Sequence, residues 1–414
     1  MHLSPRLLAV SLALAAGACA SDNQSGHVAA EQTGDLSHPL AERGAFDGTE
    51  AELCGEGAVL NGVAPVLHRA PYMQRVTDTS ARVVWTSDEG EPDTVHLWEP
   101  EVAPDVPTVV READLWAMEE ASPGDGVNQY AGIVESLEPD TVYCYQLDAG
   151  DDPATAAAGF RTAPAAGSGA RVAFVAFGDS GNGGDDQFSV REHLETVPMQ
   201  MMIHTGDIAY ESGTMQQFED NYFSVYASMT DSIPMWPSIG NHDEHDTYHQ
   251  VYDLPWASSS HDYYSFDYGD VHFVALDTND VSQRQADWLE DDLAENQREW
   301  TVVYGHHPPF SSGEHGCATD VRDLFVPIFE KYDVDLVLAG HDHDYERMVP
   351  QNGVNYVVTG GGGRGTRPMG SPQDFTAFAE SVLHFVYVEV EGNQLLLHAI
   401  DATGVEFDQL AITH

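Results

Sequence analysis

The chain has 414 residues, enough for two domains with a core in each, and sets 68 acidic residues against 16 basic ones, a net charge of −52. Lys331 is its one lysine. An excess of that size repels nucleic acid and anionic membrane surfaces, so neither is expected as a partner, and acids spread over a solvated surface read as adaptation to a saline medium.

The first twenty residues read as an export signal: Arg6, an apolar run from Leu7 to Ala16, then small residues up to Ala20. The run is too short to span a bilayer, and no other stretch is apolar enough to cross one. Ala18-Cys19-Ala20 fits ordinary cleavage before Ser21. Ala16-Gly17-Ala18-Cys19 fits lipidation of Cys19, with Ala where the motif ordinarily has Leu. Simple secretion is therefore preferred, and the expected location is outside the cell, in a periplasm or on a cell surface. Either cut removes Cys19 from the count, leaving Cys54, Cys144 and Cys317, which cannot all pair with one another. Both Cys54–Cys144 and Cys54–Cys317 remain open.

Residues 21–62 lack periodicity and read as a flexible tether. From 63 to 165 the pattern is β-rich, with alternation in Ala81–Thr86 and Thr94–Trp98. Leu137–Tyr145 reads as a turn followed by a strand, with Tyr143 placed as a tyrosine corner and Trp85 as a core aromatic. That combination resembles a fibronectin type III domain.

From residue 170 to the end, strands alternate with helices. Arg171–Phe177, Met201–Thr205, Thr301–Tyr304, Val334–Ala339 and Tyr356–Thr359 are short apolar runs of the buried-strand kind. Helices are predicted at Thr214–Ala227, Ser282–Asn296 and Thr319–Tyr332. Hairpins are predicted at 264–276 and at 385–399. The expected fold is an all-β sandwich followed by an α/β sandwich with mixed sheets, its functional loops at the carboxyl ends of strands.

Five short runs end hydrophobic stretches: Gly178–Gly181, Gly206–Tyr210, Gly240–Asp243, Val303–His306 and Gly340–His343. A single Gly-Asp is ordinarily a turn, and a single His at a strand end ordinarily a surface residue. All five in order outweigh those readings. They offer seven side chains suited to two metal ions: Asp179, Asp207, Tyr210, Asn241, His306, His341 and His343. Carboxylate and phenolate oxygens favour a hard trivalent ion, and Asn and His a divalent one. Two adjacent metals are a standard device for displacement at phosphorus.

The five blocks resemble the metallophosphoesterase superfamily and, within it, the purple acid phosphatases. Gly181 stands where the wider superfamily has a ligand His, and Tyr210 supplies the replacement donor; Gly340–Arg347 resembles the purple branch's last block. A fibronectin-like domain ahead of the catalytic one resembles the long-chain plant type. The resemblance implies a ferric site of Asp179, Asp207, Tyr210 and His343. It implies a divalent site of Asp207, Asn241, His306 and His341 for zinc, manganese or iron. Hydrolysis of small phosphate monoesters by hydroxide held on the metals is implied, with an acidic optimum. Asn241, His242 and His315 would meet the substrate, His242 at phosphate or the leaving oxygen and His315 protonating the departing alkoxide; Gly316 departs from the family's paired histidines there. Asp342 and Asp344 replace uncharged residues and would add negative charge near the metals. A phosphodiesterase or nucleotidase on the same metals is the alternative, and a non-catalytic adhesion protein the more distant one.

Seven other histidines, His307, His245, His249, His261, His272, His384 and His398, fit no ligand spacing and are expected in surface or supporting roles, with His307 the best placed of them because it adjoins His306 and precedes Pro308-Pro309. Gly360–Gly365 is read as a flexible turn at the rim, from which Arg364 can approach substrate.

Overall fold

The computed structural model describes residues 50–57, 67–87, 92, 94–100, 109–111, 114–117, 128–149, 152–258 and 262–414. The expected export signal, Cys19 and most of the expected tether lie outside them. Within the tether, Glu50–Cys54 forms a helix, contrary to a structureless reading. Its anchors explain the difference: Cys54 is disulfide-bonded to Cys144, and Glu50 faces the Arg161 guanidinium at 3.4 Å. That bridge selects one of the two open pairings. It closes a separation of 90 residues, for which chain entropy alone gives about 4.6 kcal/mol. No described cysteine is free, so none is left over as the count suggests.

The amino-terminal part is two sheets. One runs in the order Leu67–Gln74, Ser80–Ser87, Asn128–Glu135, Asp114–Ala117, and the other Val109–Arg111, Thr94–Trp98, Val142–Ala149, Asp152–Pro153, with Ala158–Arg161 also on Val142–Ala149. Alternating side chains from both sheets share one core. Trp85 is fully buried in it and stacks on Tyr130. The Tyr143 hydroxyl accepts the Glu138 backbone N–H at 3.0 Å, the reach-back of a tyrosine corner.

The second part is two mixed sheets packed face to face. The six-stranded sheet is Met235–Pro237, Met201–His204, Val172–Phe177, His384–Glu391, Gln394–Asp401, Glu406–Thr413. The seven-stranded sheet is Tyr264–Tyr268, Val271–Ala275, Trp300–Gly305, Leu336–Ala339, Asn355–Thr359, Tyr345–Met348, Thr376–Glu380. Val172–Phe177 and Trp300–Gly305 are buried at every position, as continuous apolar runs require of strands covered on both faces. Phe174 and Phe273 meet edge to face between the sheets. Helices Gln283–Glu295 and Thr319–Lys331 cover the outer face of the seven-stranded sheet around Leu289, Phe325 and Phe329.

The helix expected over 214–227 is three consecutive pieces, Met215–Phe218, a π-helical Glu219–Phe223 and Ser224–Thr230, started by a Thr214–Gln217 capping box. Asp185–Leu194, His245–Val251 and the strand Glu406–Thr413 are additional to the elements expected from sequence. Their apolar positions are too few or too irregular to stand out from the acidic background. The two parts of the chain meet through polar bonds: the Tyr72 hydroxyl and Gln74 amide donate to Val251 O at 2.8 Å, and Gln129 to Gln250 O at 2.8 Å.

One ion cluster makes the fold pH-sensitive. His272 places Nδ1 2.8 Å from Asp267 and Nε2 2.9 Å from Asp292, tying the edge hairpin to helix Gln283–Glu295. Burial alone would lower its pKa, but the two carboxylates outweigh that and push it up to about 9. Burial works the other way on Asp267, yet His272 and Arg298 hold it down at about 2. The two shifts describe one interaction and are counted once. A raised imidazole pKa gives stability that is complete below the unfolded value near 6.5 and is lost as pH rises through 9; the carboxylate's share is lost only as pH falls toward 2. His272→Ala is therefore expected to lower stability by about 2 kcal/mol at pH 5–6, discounted because Asp267 is 43% exposed, and by much less above pH 9. Urea melts at the two pH values check this. An equal loss at both would contradict it.

Candidate metal centre

Every sequence-predicted ligand stands in a loop at the carboxyl end of a strand. Asp179 follows Val172–Phe177, Asp207 follows Met201–His204, Asn241 follows Met235–Pro237, His306 ends Trp300–Gly305, and His341 and His343 follow Leu336–Ala339. Three of them hold left-handed backbone conformations, Asp179 at φ 55°, Asp207 at φ 57° and His341 at φ 71°. Such strain costs roughly 1 kcal/mol or more per residue and is maintained where the surroundings demand it. Gly240 makes one close approach possible, since a Cβ there would lie 2.2 Å from Asp207 Oδ1.

Two donor clusters result. In the first, the Tyr210 hydroxyl lies 2.7 Å from Asp207 Oδ2, 3.0 Å from Asp179 Oδ1 and 3.2 Å from His343 Nε2, with His343 Nε2 3.4 Å from Asp179 Oδ1. In the second, His306 Nε2 lies 3.0 Å from Asn241 Oδ1, 3.2 Å from His341 Nδ1 and 3.4 Å from Asp207 Oδ1. Asp207 turns one oxygen to each cluster.

The donor set fits a pair of cations. In the first cluster at most two protons, one on Tyr210 and one on His343, serve four contacts among two carboxylates, a phenol and an imidazole. Burial, reinforced by Asp179 and Asp207, pushes the Tyr210 phenol far above its ordinary range, so only a strong Lewis acid makes it a phenolate there. In the second, burial works against charging His306, but Asp207 and Asp179 draw its pKa upward all the same. The cage favours positive charge. Supporting bonds aim the ligands. His306 Nδ1 is 2.9 Å from Thr205 O, leaving Nε2 to face the cluster, and backbone N–H groups of His341 and His242 donate to Asp179 Oδ2 and Asp207 Oδ1, each at 2.8 Å.

The two residues expected at substrate flank this cage. His242 packs its ring 4.7 Å from Tyr210, with Nδ1 2.7 Å from Glu211 O. The exposed His315 stacks 4.2 Å from His341, and its Nε2 meets the Arg367 guanidinium. Arg364 lies 5.1 Å over the Tyr210 ring and pairs with Glu211. Backbone bonds fix the glycine-rich loop beside the ligands, from Arg364 N–H to Asp179 O at 2.9 Å and from Arg367 N–H to His343 O at 3.1 Å. That loop is anchored, not merely a turn.

Sequence reasoning does not single out Asp243 or Arg367. Asp243 accepts the backbone N–H groups of Asp207, Ile208 and Gly240 at 2.8–2.9 Å, locking two ligand loops together. Its place directly after Asn241-His242 is the available signal. His307 sits closer to the cage than its spacing implies, its ring 4.5 Å from His341 and its Nδ1 2.9 Å from Thr278 Oγ1. Asp344 is fully buried. Burial, with Asp342 beside it, pushes its carboxyl up to about 8, and neither oxygen has a partner among the described residues. Asp342 accepts from the Ser311 hydroxyl and the His315 N–H.

Comparison with known proteins follows the same lines. Residues 173–345 match the calcineurin-like phosphoesterase family. The chain is 28% identical over 304 residues to purple acid phosphatase 23 of Arabidopsis thaliana, 58% of this chain and 65% of that protein. It is 27% identical over 270 residues to an uncharacterized protein of Mycobacterium tuberculosis, 53% of this chain and 50% of that one. The solved purple acid phosphatase from yellow lupin (Lupinus luteus) seeds has a TM-score of 0.71 at 20% identity, covering 83% of this chain and 74% of that one, a likeness of fold. The chain spans about half the length of the first curated relatives it matches.

Proposed function

We propose, for a chain that carries a calcineurin-like phosphoesterase domain over residues 173–345 and is related to purple acid phosphatases, that it hydrolyses phosphate monoesters at a two-metal centre. Asp179, Asp207, Tyr210 and His343 would hold a ferric ion. Asp207, Asn241, His306 and His341 would hold zinc, manganese or divalent iron. Bound there, the pair supplies positive charge to phosphate oxygens and lowers the pKa of water at the site. The observation that carries the reading is the shared carboxylate, with Asp207 Oδ2 2.7 Å from the Tyr210 hydroxyl and Oδ1 3.4 Å from His306 Nε2.

The chain's own groups divide the remaining work. His242, beside Tyr210 on the open side, binds a phosphate oxygen. His315 and Arg367 stand together over His341, where a leaving oxygen departs; the guanidinium stabilises charge there and the imidazole relays the proton. Arg364 adds a second cation at the mouth. In a chain with 16 basic residues, two of them at this rim offset the repulsion that so acidic a surface exerts on an anionic substrate. The amino-terminal sandwich, fibronectin type III-like in its tyrosine corner, buttresses the catalytic part through Val251 and Gln250. The export signal and the disulfide support a location outside the cytoplasm.

Steady-state rates on aryl phosphate monoesters and matched bis-esters, with iron and zinc loaded in turn, test the substrate class. Monoester kcat/KM at least about 10-fold above that for diesters is expected, with a maximum below pH 7. A preference for diesters would replace the monoesterase reading with the phosphodiesterase one.

A further inference from the structure

Away from the cage, helix His245–Val251 carries two histidines four residues apart, so both project from one face. His245 Nε2 lies 3.3 Å from Asp262 Oδ1, and His249 Nε2 meets the same oxygen. The rings are 4.6 Å apart. Asp262 is buried, His249 half-buried and His245 exposed, so the three donor atoms converge at a point that solvent can reach. We propose that His245, His249 and Asp262 form a third metal site, for a zinc-class divalent cation, separate from the two-metal centre.

The three donor atoms lie within 4.8 Å of one another, close enough for one small cation to replace the hydrogen bond that joins His249 to Asp262. Tetrahedral zinc with bonds of about 2.0–2.1 Å places its ligand atoms roughly 3.3–3.4 Å apart. The separation between His245 Nε2 and Asp262 Oδ1 lies in that range, and His249 Nε2 would draw back from its hydrogen bond to Asp262 to take its ligand place. Two imidazoles and one carboxylate are a common zinc set, and they leave a fourth position for water. The far nitrogen of His245 lies 3.4 Å from the exposed Asp246 carboxylate. His249 is further oriented by Trp256, whose ring lies 4.4 Å away.

The place of the site gives it a purpose. Its helix begins just after Asn241, His242 and Asp243, and ends at the carbonyls that receive Tyr72, Gln74 and Gln129 from the amino-terminal sandwich. Asp262 lies on the chain leading into strand Tyr264–Tyr268. A cation here staples the segment between the ligand loop and the domain contact to the edge hairpin. Such a site stands whether or not the chemistry at the main centre is phosphatase chemistry.

The test uses the full chain with its main centre already loaded. Titration with Zn2+ alone at pH 7.5, followed by calorimetry, is expected to show one further equivalent per chain. His245→Ala, which removes an exposed side chain, and Asp262→Asn should each weaken that equivalent by at least about 10-fold. Main-centre metal content should be unchanged in both variants. Zinc-edge anomalous diffraction should place a peak within about 2.2 Å of both Nε2 atoms. No further equivalent in the parent chain, or an equivalent that persists unchanged in both variants, would overturn the proposal.

Discussion

Asp207→Asn is expected to abolish turnover and to cost the protein its metal pair. The Asp207 carboxylate turns one oxygen to each cluster, Oδ2 toward Tyr210 and Oδ1 toward His306. Burial alone would raise its pKa, but His306, the Tyr210 hydroxyl and the His242 N–H hold it below the ordinary carboxylate range. An amide of the same size keeps one acceptor oxygen and turns an NH2 toward the other cluster. One ion thereby loses an anionic ligand and meets a donor in its place. Metal content by plasma mass spectrometry should fall from two ions per chain to one or fewer, and kcat/KM should drop by about 10⁴-fold or more. A variant retaining both ions and a tenth of the activity would show that Asp207 does not bridge.

The second large effect is expected at Tyr210. Its phenol is buried among Asp179, Asp207 and His343, where burial and the neighbouring carboxylates oppose ionisation. Only a strongly acidic ion reverses that preference, and a phenolate bound to ferric iron absorbs visible light. Tyr210→Phe should therefore remove the visible band of iron-loaded protein and weaken retention of the trivalent ion by about 100-fold, while the divalent cluster around His306 keeps its donors. Spectra and iron content of the same sample check both. Unchanged colour in the variant would place the ferric ligand elsewhere.

Particular residues separate what the amino-acid sequence makes legible from what only the folded chain reveals. The ligand-bearing strands are readable because they are buried on both faces: Val172–Phe177 and Trp300–Gly305 need no polar position, so their hydrophobic runs stop where the functional loops begin. The candidate ligands are readable because Gly-Asp and Gly-His steps follow those stops. Asp243, Arg367 and the anchored glycine-rich loop are not, since their roles consist of backbone bonds between segments distant in the chain. The same holds for His245 and His249. Their spacing of four is visible, but helix His245–Val251 has too few apolar residues to announce itself, and Asp262 comes from the far side of a loop. The burial of Asp344, which pushes its carboxyl up, is not legible either, because it comes from packing between segments distant in the chain.

Anomalous diffraction from crystals of the iron- and zinc-loaded chain, collected at both metal edges, tests the central claim most directly. Two peaks roughly 3.5–4 Å apart are predicted, with iron on Asp179, Tyr210 and His343, zinc on Asn241, His306 and His341, and Asp207 touching both. A single peak, or a pair in which Tyr210 and Asp207 belong to different pockets, would contradict it.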